Sequence, residues 1–325
     1  MRVAVLTSFT SDYDLGWLCS PVNEHYAKKH GYAFLREVID PNQQLRCKSA
    51  ADSTSEVRHP TWNKVRLIHE LLEGLLRSKD APLPIPLDTT HLLWVDADAA
   101  VVRQSVLVED LWRGLPATIE LLIGEDVTSC CLVNAGVFCV RVSEWSLQLW
   151  RDVWASAASR KFHNKRYHEQ SALLRQLERR GEGLDLVRLP FHSYCGGHAA
   201  PKLFPHVCVL PRSAFNTNRC DIRTEAAVNA ARAPGEPETR DEDACNFIFH
   251  AAGHPFLRTI GEAGTAILWK PPKAVALVTV FQHFGLGELL PQTKQTHEDS
   301  SKLACEQQEA EPRAWGVRHR GQIAN

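Results

Sequence analysis

The chain has 325 residues, of which 44% are hydrophobic and 23% are charged, a globular composition long enough for one large α/β domain or two small ones. Its 37 basic residues nearly balance 38 acidic residues, and the formal net charge is −1, so nucleic acid is not a favoured partner. The 10 cysteines include no CxxC pair, which disfavours a zinc ribbon or a redox motif and leaves disulfides open.

The first part of the chain alternates predicted strands and helices. An apolar run over residues 2–7 predicts a buried first strand. Pro21–His30 is expected to be a helix, because Ser20 can cap it and Gly31 can close it in the left-handed conformation. A second strand and then a long loop are predicted at Tyr32–Val38 and Asp40–Pro60.

The same alternation continues through the middle of the chain. From Trp62 to Leu76, apolar residues recur at three- and four-residue intervals, which predicts an amphipathic helix. The apolar run His91–Val95 predicts a central strand. Further strands are predicted at Glu120–Gly124, Gly136–Val142, Leu186–Leu189 and Val207–Leu210, and further helices from Glu144, capped by Ser143, and at Tyr167–Arg180. This order indicates an α/β fold.

Two segments lack apolar periodicity. Residues 222–243 are rich in Ala, Pro, Glu and Arg, and residues 288–325 are polar, so both are expected to be mobile. We therefore predict one domain over 1–287, followed by a polar tail over 288–325.

No membrane-spanning or secretory segment is expected. The first strand passes at once into a polar stretch, unlike a signal peptide, and the apolar run Ala274–Phe281 is far shorter than the roughly 20 residues that cross a bilayer. Taken alone, this pattern indicates a cytoplasmic protein.

The sharpest chemical signal is Asp96-Ala97-Asp98, which directly follows the predicted strand His91–Val95. Ligands of open α/β sheets bind beyond the carboxyl ends of the strands, and hard carboxylate oxygens suit Mg²⁺ or Mn²⁺. A solvated turn or a helix cap is the plain alternative. The position after a buried strand favours a metal site.

Three other segments bring polar groups near predicted element ends. His250 ends an apolar strand and could complete a metal site, although a core histidine is the simpler interpretation. Asn134-Ala135-Gly136 would let a ligand approach the backbone, or would be only a tight turn. His168-Glu169-Gln170 opens a helix, where an acid is favourable in any case.

Taken in order, these segments resemble glycosyltransferase family 34, a family of galactosyl-, xylosyl- and mannosyltransferases, over residues 1 to about 256. The resemblance rests on residues 23–32, Trp62-Asn63-Lys64, the aspartate motif, Asn134-Ala135-Gly136-Val137-Phe138, Glu169-Gln170 and His250-Ala251-Ala252-Gly253. It implies a GT-A (Rossmann-like) nucleotide-diphospho-sugar transferase fold with a mostly parallel central sheet. An acidic residue often stands in this family where this chain has His168.

The resemblance also implies an activity and roles for residues. The expected reaction moves a hexose or pentose from a UDP-linked or other nucleotide sugar to a hydroxyl of a sugar or glycan, with retention, using Mn²⁺ or Mg²⁺. The implied metal ligands are Asp96, Asp98 and His250, and the implied catalytic residues are Gln170, near the anomeric carbon, and Glu169. The donor is expected to contact Thr7, Ser8, Lys64, Asp96, Asn134, Gly136 and Gly253. The family is usually anchored in the Golgi, whereas the sequence pattern here leads us to expect no membrane-spanning segment.

Two other functions fit the aspartate motif. Haloacid-dehalogenase-like phosphatases also place Asp-x-Asp after a buried strand, but usually continue to Thr or Val where this chain has Ala100. A non-catalytic nucleotide-sugar binder could keep the same fold. The sequence leaves the donor sugar, the acceptor and the oligomeric state open.

Overall fold

Alternating strands and helices build the protein, as expected. The structure, a computed structural model, describes residues 1–42, 45–48, 55–77, 82–126, 133–164, 167–182, 201–223, 247–252, 255–260 and 266–291. The helices are α1 Asp14–His30, α2 Asn63–Arg77, α3 Val108–Trp112, α4 Glu144–Ala155, α5 Ala157–Arg160, α6 His168–Arg179, α7 Arg212–Phe215 and α8 Lys273–His283. Short 3-10 helices lie at Pro60–Trp62 and Gly287–Leu289.

The strands form one large sheet and three small ones. They are β1 Val3–Thr10, β2 Ala33–Ile39, β3 Leu45–Lys48, β4 Ser55–Arg58, β5 His91–Val95, β6 Ala99–Val101, β7 Leu121–Glu125, β8 Val133–Arg141, β9 Lys202–Leu203, β10 Val207–Leu210, β11 Arg219–Arg223, β12 Ile248–His250, β13 Phe256–Ile260 and β14 Ala266–Trp269. The large sheet has seven strands in the order β2-β1-β5-β8-β7-β10-β9.

The large sheet is mostly parallel. β1 pairs in parallel with β2 and β5, and β7 pairs in parallel with β10. β8 runs antiparallel between β5 and β7, and β9 is antiparallel to β10. All strands but β8 and β9 therefore share one direction, which confirms the predicted α/β class and brings the carboxyl ends of β1, β5 and β7 to one edge.

Alternate residues of β5 show how the sheet separates two cores. Leu92 and Trp94 join the cluster under α2, α4 and α6, whereas Leu93 and Val95 join the cluster on the opposite face with Tyr26 of α1. Burial on both faces explains why this strand is apolar throughout, as strands of central parallel sheets are.

The first helix differs from its prediction. α1 begins at Asp14 and contains Pro21 as an interior residue, so Ser20 is not its cap. The helix buries Gly16, Cys19 and Val22 along the extended length, and this packing outweighs the hydrogen bond that the proline forgoes. Its predicted end is confirmed, because Gly31 has φ 67°.

Several predictions for loops and short elements differ from the structure or lie outside the described residues. The predicted loop Asp40–Pro60 contains the antiparallel pair β3–β4, so this part of the prediction was wrong. The short elements β6 and α3 were not predicted at all. The predicted strand Leu186–Leu189 and residues 224–243 lie outside the described residues.

A third cluster covers the end of the domain beside α1. Ala276, Leu277, Val280 and Phe281 of α8 are buried there with Val22, and Leu289 and Leu290 pack against them. The chain clusters into one compact unit over Met1–Leu290 and a separate one from Pro291. The tail predicted from residue 288 lies outside the described residues from 292 onward. None of the helices in the described part combines the length and apolar character of a membrane span.

Candidate functional site

The two aspartates lie where β5 leaves the sheet. The Asp96 N–H donates to the Gly136 carbonyl at 2.8 Å, and the Ala99 N–H donates to the Asp96 carbonyl at 2.9 Å. The first bond ties the end of β5 to β8, and the second closes a tight turn that carries the chain from β5 into β6. Both carboxylates therefore sit at the carboxyl edge of the sheet, where open α/β folds bind ligands.

His250 reaches the same edge through a second pair of strands. β12 pairs antiparallel with β6, which places His250 opposite Ala99. The Nε2 atom of His250 lies 3.3 Å from Oδ1 of Asp98, and its Nδ1 lies 3.1 Å from Oδ1 of Asn216. An amide oxygen accepts from an N–H, so Asn216 favours a proton on Nδ1, and Nε2 is the ring nitrogen that could bind a metal ion beside Asp98.

The donor set fits a divalent cation. One ligand atom from each of Asp96, Asp98 and His250 lies within 4.8 Å of the others. Bonds of about 2.0–2.6 Å hold two oxygen ligands of one divalent ion up to about 4–5 Å apart. The three residues can therefore hold one ion after small side-chain adjustments.

Lys273, which lies 175 residues further along the chain, forms an ion pair with Asp98. The Nζ atom of Lys273, at the start of α8, lies 2.7 Å from Oδ2 of Asp98. Burial opposes the ionised form of Asp98, but the hydrogen bond and charge of His250 and the Lys273 ammonium outweigh it and hold the pKa of Asp98 well below its usual range. Asp98 is therefore an anion at neutral pH.

Lys64 binds three oxygen-bearing groups at once. Its Nζ lies 2.9 Å from Asp96, 3.1 Å from Glu169 and 2.7 Å from the Ala135 carbonyl, while its side chain is only 4% exposed. Burial disfavours the charged ammonium, but the two carboxylates outweigh it and raise the pKa of Lys64. An ammonium has three N–H donors, so protein groups already use all of them.

Gln170 and Asn134 form a second polar group beside the aspartates. The Ala135 N–H donates to Oε1 of Gln170 at 2.9 Å, and the Gly136 N–H donates to Oδ1 of Asn134 at 2.8 Å. Gln170 follows two residues with positive φ at the start of α6, Tyr167 and His168. Such backbone conformations are costly outside glycine and cluster at functional sites.

Gly136 is required by the closeness of the histidine. A Cβ atom at this position would lie 2.2 Å from Cε1 of His250 and 2.8 Å from Oδ1 of Asn134. Any larger residue would push one of these side chains away. The glycine therefore lets β8 approach the proposed metal ligand directly.

Of the remaining residues predicted to contact the donor, one lines the cleft, one is buried and does not line it, and one lies outside the described residues. Ser8, at the carboxyl end of β1, lines the cleft and accepts a hydrogen bond from Asn63 at 2.7 Å. Thr7 is buried, with 1% exposure, and is not among the cleft-lining residues. Gly253 lies outside the described residues.

These groups surround one cleft of about 480 Å³. Its lining includes the aspartates, His250 and Lys273, and also Asn134, Glu169 and Gln170. Phe9, Tyr13 and Ile39 add an apolar side near the ends of β1 and β2. Burial and then the charge of Asp98 raise the pKa of the Tyr13 phenol.

Sequence reasoning missed several of these residues. Lys273, Asn216 and Asp126 join the site through contacts that span 175, 34 and 44 residues along the chain. No spacing pattern signals contacts of this kind. Tyr13 carries one weak signal, since it follows the predicted first strand closely.

No protein-family model matches the chain, and no curated protein matches it in sequence. Among solved structures, it is similar to a glycosyltransferase involved in the glycosylation of the major capsid of PBCV-1, with 13% identity, a TM-score of 0.48, and coverage of 87% of this chain and 100% of that one. Mouse xyloside xylosyltransferase 1 gives 9% identity, a TM-score of 0.37, and coverage of 78% and 98%.

A third similar structure contains ligands. It is a Drosophila β1,4-galactosyltransferase 7 mutant in complex with manganese, UDP-Gal and xylobiose, with 13% identity, a TM-score of 0.26, and coverage of 44% of this chain and 50% of that one. At these identities and TM-scores the similarity assigns neither a family nor an activity to this chain.

The seven-stranded, mostly parallel sheet fits the GT-A nucleotide-sugar transferase fold that the sequence predicted. The chain carries an Asp-Asp-His group able to hold a metal ion. Membership of family 34 and the individual roles of the site residues stay predictions.

Proposed function

We propose that the protein is a metal-dependent glycosyltransferase that moves a hexose or pentose from a nucleotide-diphosphate sugar to a hydroxyl of a sugar or glycan. One observation carries the proposal. Asp96 and Asp98 from one segment and His250 from another converge within 4.8 Å on the wall of a cleft at the carboxyl edge of the sheet. Such a group beside an apolar recess suits a diphosphate attached to a nucleoside.

The charges of the cleft support this substrate class. Asp98 and His250 would hold a divalent cation directly, and Asp96 would contribute directly or through water. A cation held there would stabilise the negative charge that develops on the leaving diphosphate. Mixed carboxylate and imidazole ligands favour Mn²⁺ over Mg²⁺. Lys273, 2.7 Å from Asp98, adds a second positive charge on the same wall.

The amide of Gln170 supports transfer with retention. Gln170 lines the same cleft as the metal-binding group, and its amide oxygen can stabilise positive charge that develops at the sugar. Glu169 is the alternative as a nucleophile. Its carboxylate is 10% exposed and lies 3.1 Å from the ammonium of Lys64, so it begins as one half of an ion pair. We therefore assign the charge-stabilising role to Gln170.

The finer assignments rest on the family resemblance. They are membership of family 34, a UDP-linked donor, donor contacts with Ser8, Asn134 and Gly136, and action in the Golgi lumen. The three N–H donors of Lys64 are already used within the protein, so we infer that it supports the donor site through Asp96 instead of binding the donor itself.

Binding measurements with paired variants test the proposal. UDP- and GDP-sugars are titrated calorimetrically with and without Mn²⁺ into the full chain, into Asp98→Ala and into His250→Ala. We expect Mn²⁺-dependent binding of one nucleotide class, and at least a tenfold loss of affinity in both variants. Asp88→Ala is the control, because its side chain is 62% exposed and pairs with Arg2.

Turnover separates the competing functions. Hydrolysis or transfer of a nucleotide sugar, followed by NMR of the product anomer, distinguishes an enzyme from a binder and retention from inversion. Phosphate release from p-nitrophenyl phosphate without a nucleotide would support the phosphatase. Unchanged nucleotide affinity in folded Asp98→Ala or His250→Ala would contradict the proposed site.

A further inference from the structure

Asp126 stands directly behind the cleft wall that bears Gln170. It follows β7 immediately, is 5% exposed and is not among the cleft-lining residues, whereas Gln170 and Asn134 are. Sequence reasoning gave it no role. A carboxylate buried in this position needs donors, and it finds two of them on the cleft-lining side chains.

The two oxygens of Asp126 bind two different amides. Oδ2 accepts from Nε2 of Gln170 at 3.2 Å, and Oδ1 accepts a longer bond from Nδ2 of Asn134 at 3.4 Å. The other end of each amide meets a backbone donor, since the Ala135 N–H binds Oε1 of Gln170 and the Gly136 N–H binds Oδ1 of Asn134. Both amides are thus bound at both ends.

This pattern admits one orientation of the Gln170 amide. An ionised carboxylate only accepts and a backbone N–H only donates. Turning the amide over would set its NH₂ against the Ala135 N–H and its oxygen against the carboxylate. Amide orientation is assigned from such networks, and here the partners at the two ends agree.

We propose that Asp126 is a positioning residue that holds the amide of Gln170 in one orientation at the cleft. The inference rests on the proposed function, in which the oxygen of Gln170 stabilises positive charge at the sugar. With Nε2 held by Asp126, the oxygen stays beside the Ala135 N–H and keeps a second lone pair. An amide free to turn would present its NH₂ to the developing positive charge for part of the time and would oppose the reaction.

The matched variants separate positioning from a general contribution to the fold. Asp126→Ala removes both acceptors, and Asp126→Asn keeps the size but can accept from only one amide. Glu125→Gln is the control, because Glu125 is the adjacent buried acid and its carboxylate binds Lys202 at 3.0 Å instead of Gln170. All variants are made in the full chain.

Proton exchange of the Gln170 side chain tests the network without activity. The NH₂ signals of Gln170 are assigned in ¹⁵N-glutamine-labelled protein by their loss in Gln170→Ala. We expect exchange at least about tenfold faster in Asp126→Ala, an intermediate rate in Asp126→Asn, and the original rate in Glu125→Gln. An unchanged rate in Asp126→Ala would overturn the proposal, and Asp126→Asn decides in the same way if the alanine variant does not fold.

Kinetics then test the consequence for turnover. In Asp126→Ala, kcat should fall about tenfold or more, while KM for the donor and the Kd for UDP with Mn²⁺ stay within about twofold. The double variant with Gln170→Ala should be no slower than Gln170→Ala alone. Additive losses would overturn the positioning role. If the unaltered chain turns over no nucleotide sugar, the proposed function fails, and the exchange rates still decide whether Asp126 holds Gln170.

Discussion

Lys64 keeps its charge in a place that water hardly reaches. Its side chain is 4% exposed, and the carboxylates of Asp96 and Glu169 share its ammonium. A buried ion pair adds little compared with an apolar replacement of the whole pair, but removal of one partner leaves the other charge without compensation. Lys64 therefore compensates the negative charges of both site carboxylates.

Replacement of Lys64 tests this dependence. Lys64→Met keeps the length of the side chain and removes the ammonium, so we expect a loss of about 3 kcal/mol in the free energy of unfolding. Urea unfolding at pH 7 measures it. The exposed Lys29→Met is the control and should change stability by less than about 0.5 kcal/mol. A loss below about 1 kcal/mol for Lys64→Met would show that the two carboxylates do not depend on the lysine.

Gly136 gives a second prediction for a single residue. In Gly136→Ala, the added Cβ would lie 2.2 Å from Cε1 of His250, so the histidine must move away from Asp98. We expect a folded protein whose affinity for Mn²⁺ falls about tenfold or more, because one of the three proposed ligands is displaced. Calorimetry with Mn²⁺ measures the change.

The control for this variant is Gly287→Ala. A Cβ at Gly287 would meet Gln282 at an ordinary 3.5 Å, so this variant should bind the ion as the unaltered chain does. Equal affinities in Gly136→Ala and in the control would remove His250 from the metal site.

The strand β5 connects the candidate site to the hydrophobic core. Its last residues lead into the aspartate motif, and its first residue, His91, is 9% exposed and packs edge-on against Trp112 of α3 with ring centroids 4.8 Å apart. Burial, followed by the charges of Arg141 and the amino terminus, lowers the pKa of His91 to about 4. The strand therefore begins with an imidazole that is neutral at pH 7.

This shift predicts a pH dependence of stability. The ordinary pKa of His91 is 6.5, and its folded value is lower, so the unfolded chain binds more protons between pH 6.5 and 4. Above pH 6.5, titration of His91 should therefore not change the free energy of unfolding. As the pH decreases from 6.5 towards 4, this free energy should fall by up to roughly 3 kcal/mol. Urea unfolding from pH 4 to 7.5 measures the slope.

His91→Gln supplies the comparison. Glutamine does not titrate, so the difference in unfolding free energy between the two proteins should change with pH only within this window. A constant difference across the window would show that His91 keeps its ordinary pKa in the folded chain.

The sequence predicts elements well where local signals and burial agree. β5 and β10 lie where their apolar runs placed them, and Ser143 caps α4 as expected by accepting from the Ser146 N–H. Pro21 misled the prediction of α1, because packing of the extended helix outweighs a local preference. β6 has three residues and is defined by its pairing with β12, which no local pattern reveals.

Some residues of the candidate site could be predicted from the sequence, and others could not. Asp96 and Asp98 could be located because they follow a strand that is apolar throughout, and His250 because it ends another. Asp126 and Lys273 could not, since Asp126 binds Gln170, 44 residues away, and Lys273 binds Asp98, 175 residues away. Their carboxylate and ammonium look like ordinary surface charges until the fold brings the partners together.

The third core cluster, in which α8 packs beside α1, connects the end of the compact unit to the candidate site. α8 begins with Lys273, which binds Asp98, and buries Leu277 and Phe281 beside α1. Leu289 and Leu290 follow in the 3-10 helix Gly287–Leu289 and just after it, and both pack on this cluster. The last residues of the compact unit therefore support the helix that carries a site lysine.

Two truncations locate the functional end of this unit. A chain that ends at residue 291 keeps both leucines and loses only residues without apolar periodicity, so its melting temperature should match that of the full chain. A chain that ends at 287 loses two partly buried leucines, worth about 1–3 kcal/mol together, and should melt several degrees lower. Differential scanning calorimetry of the three proteins measures both differences. Equal melting temperatures for all three would place the domain boundary at 287, as the sequence alone predicts, whereas a lower value for the chain ending at 291 would show that residues beyond it stabilise the domain.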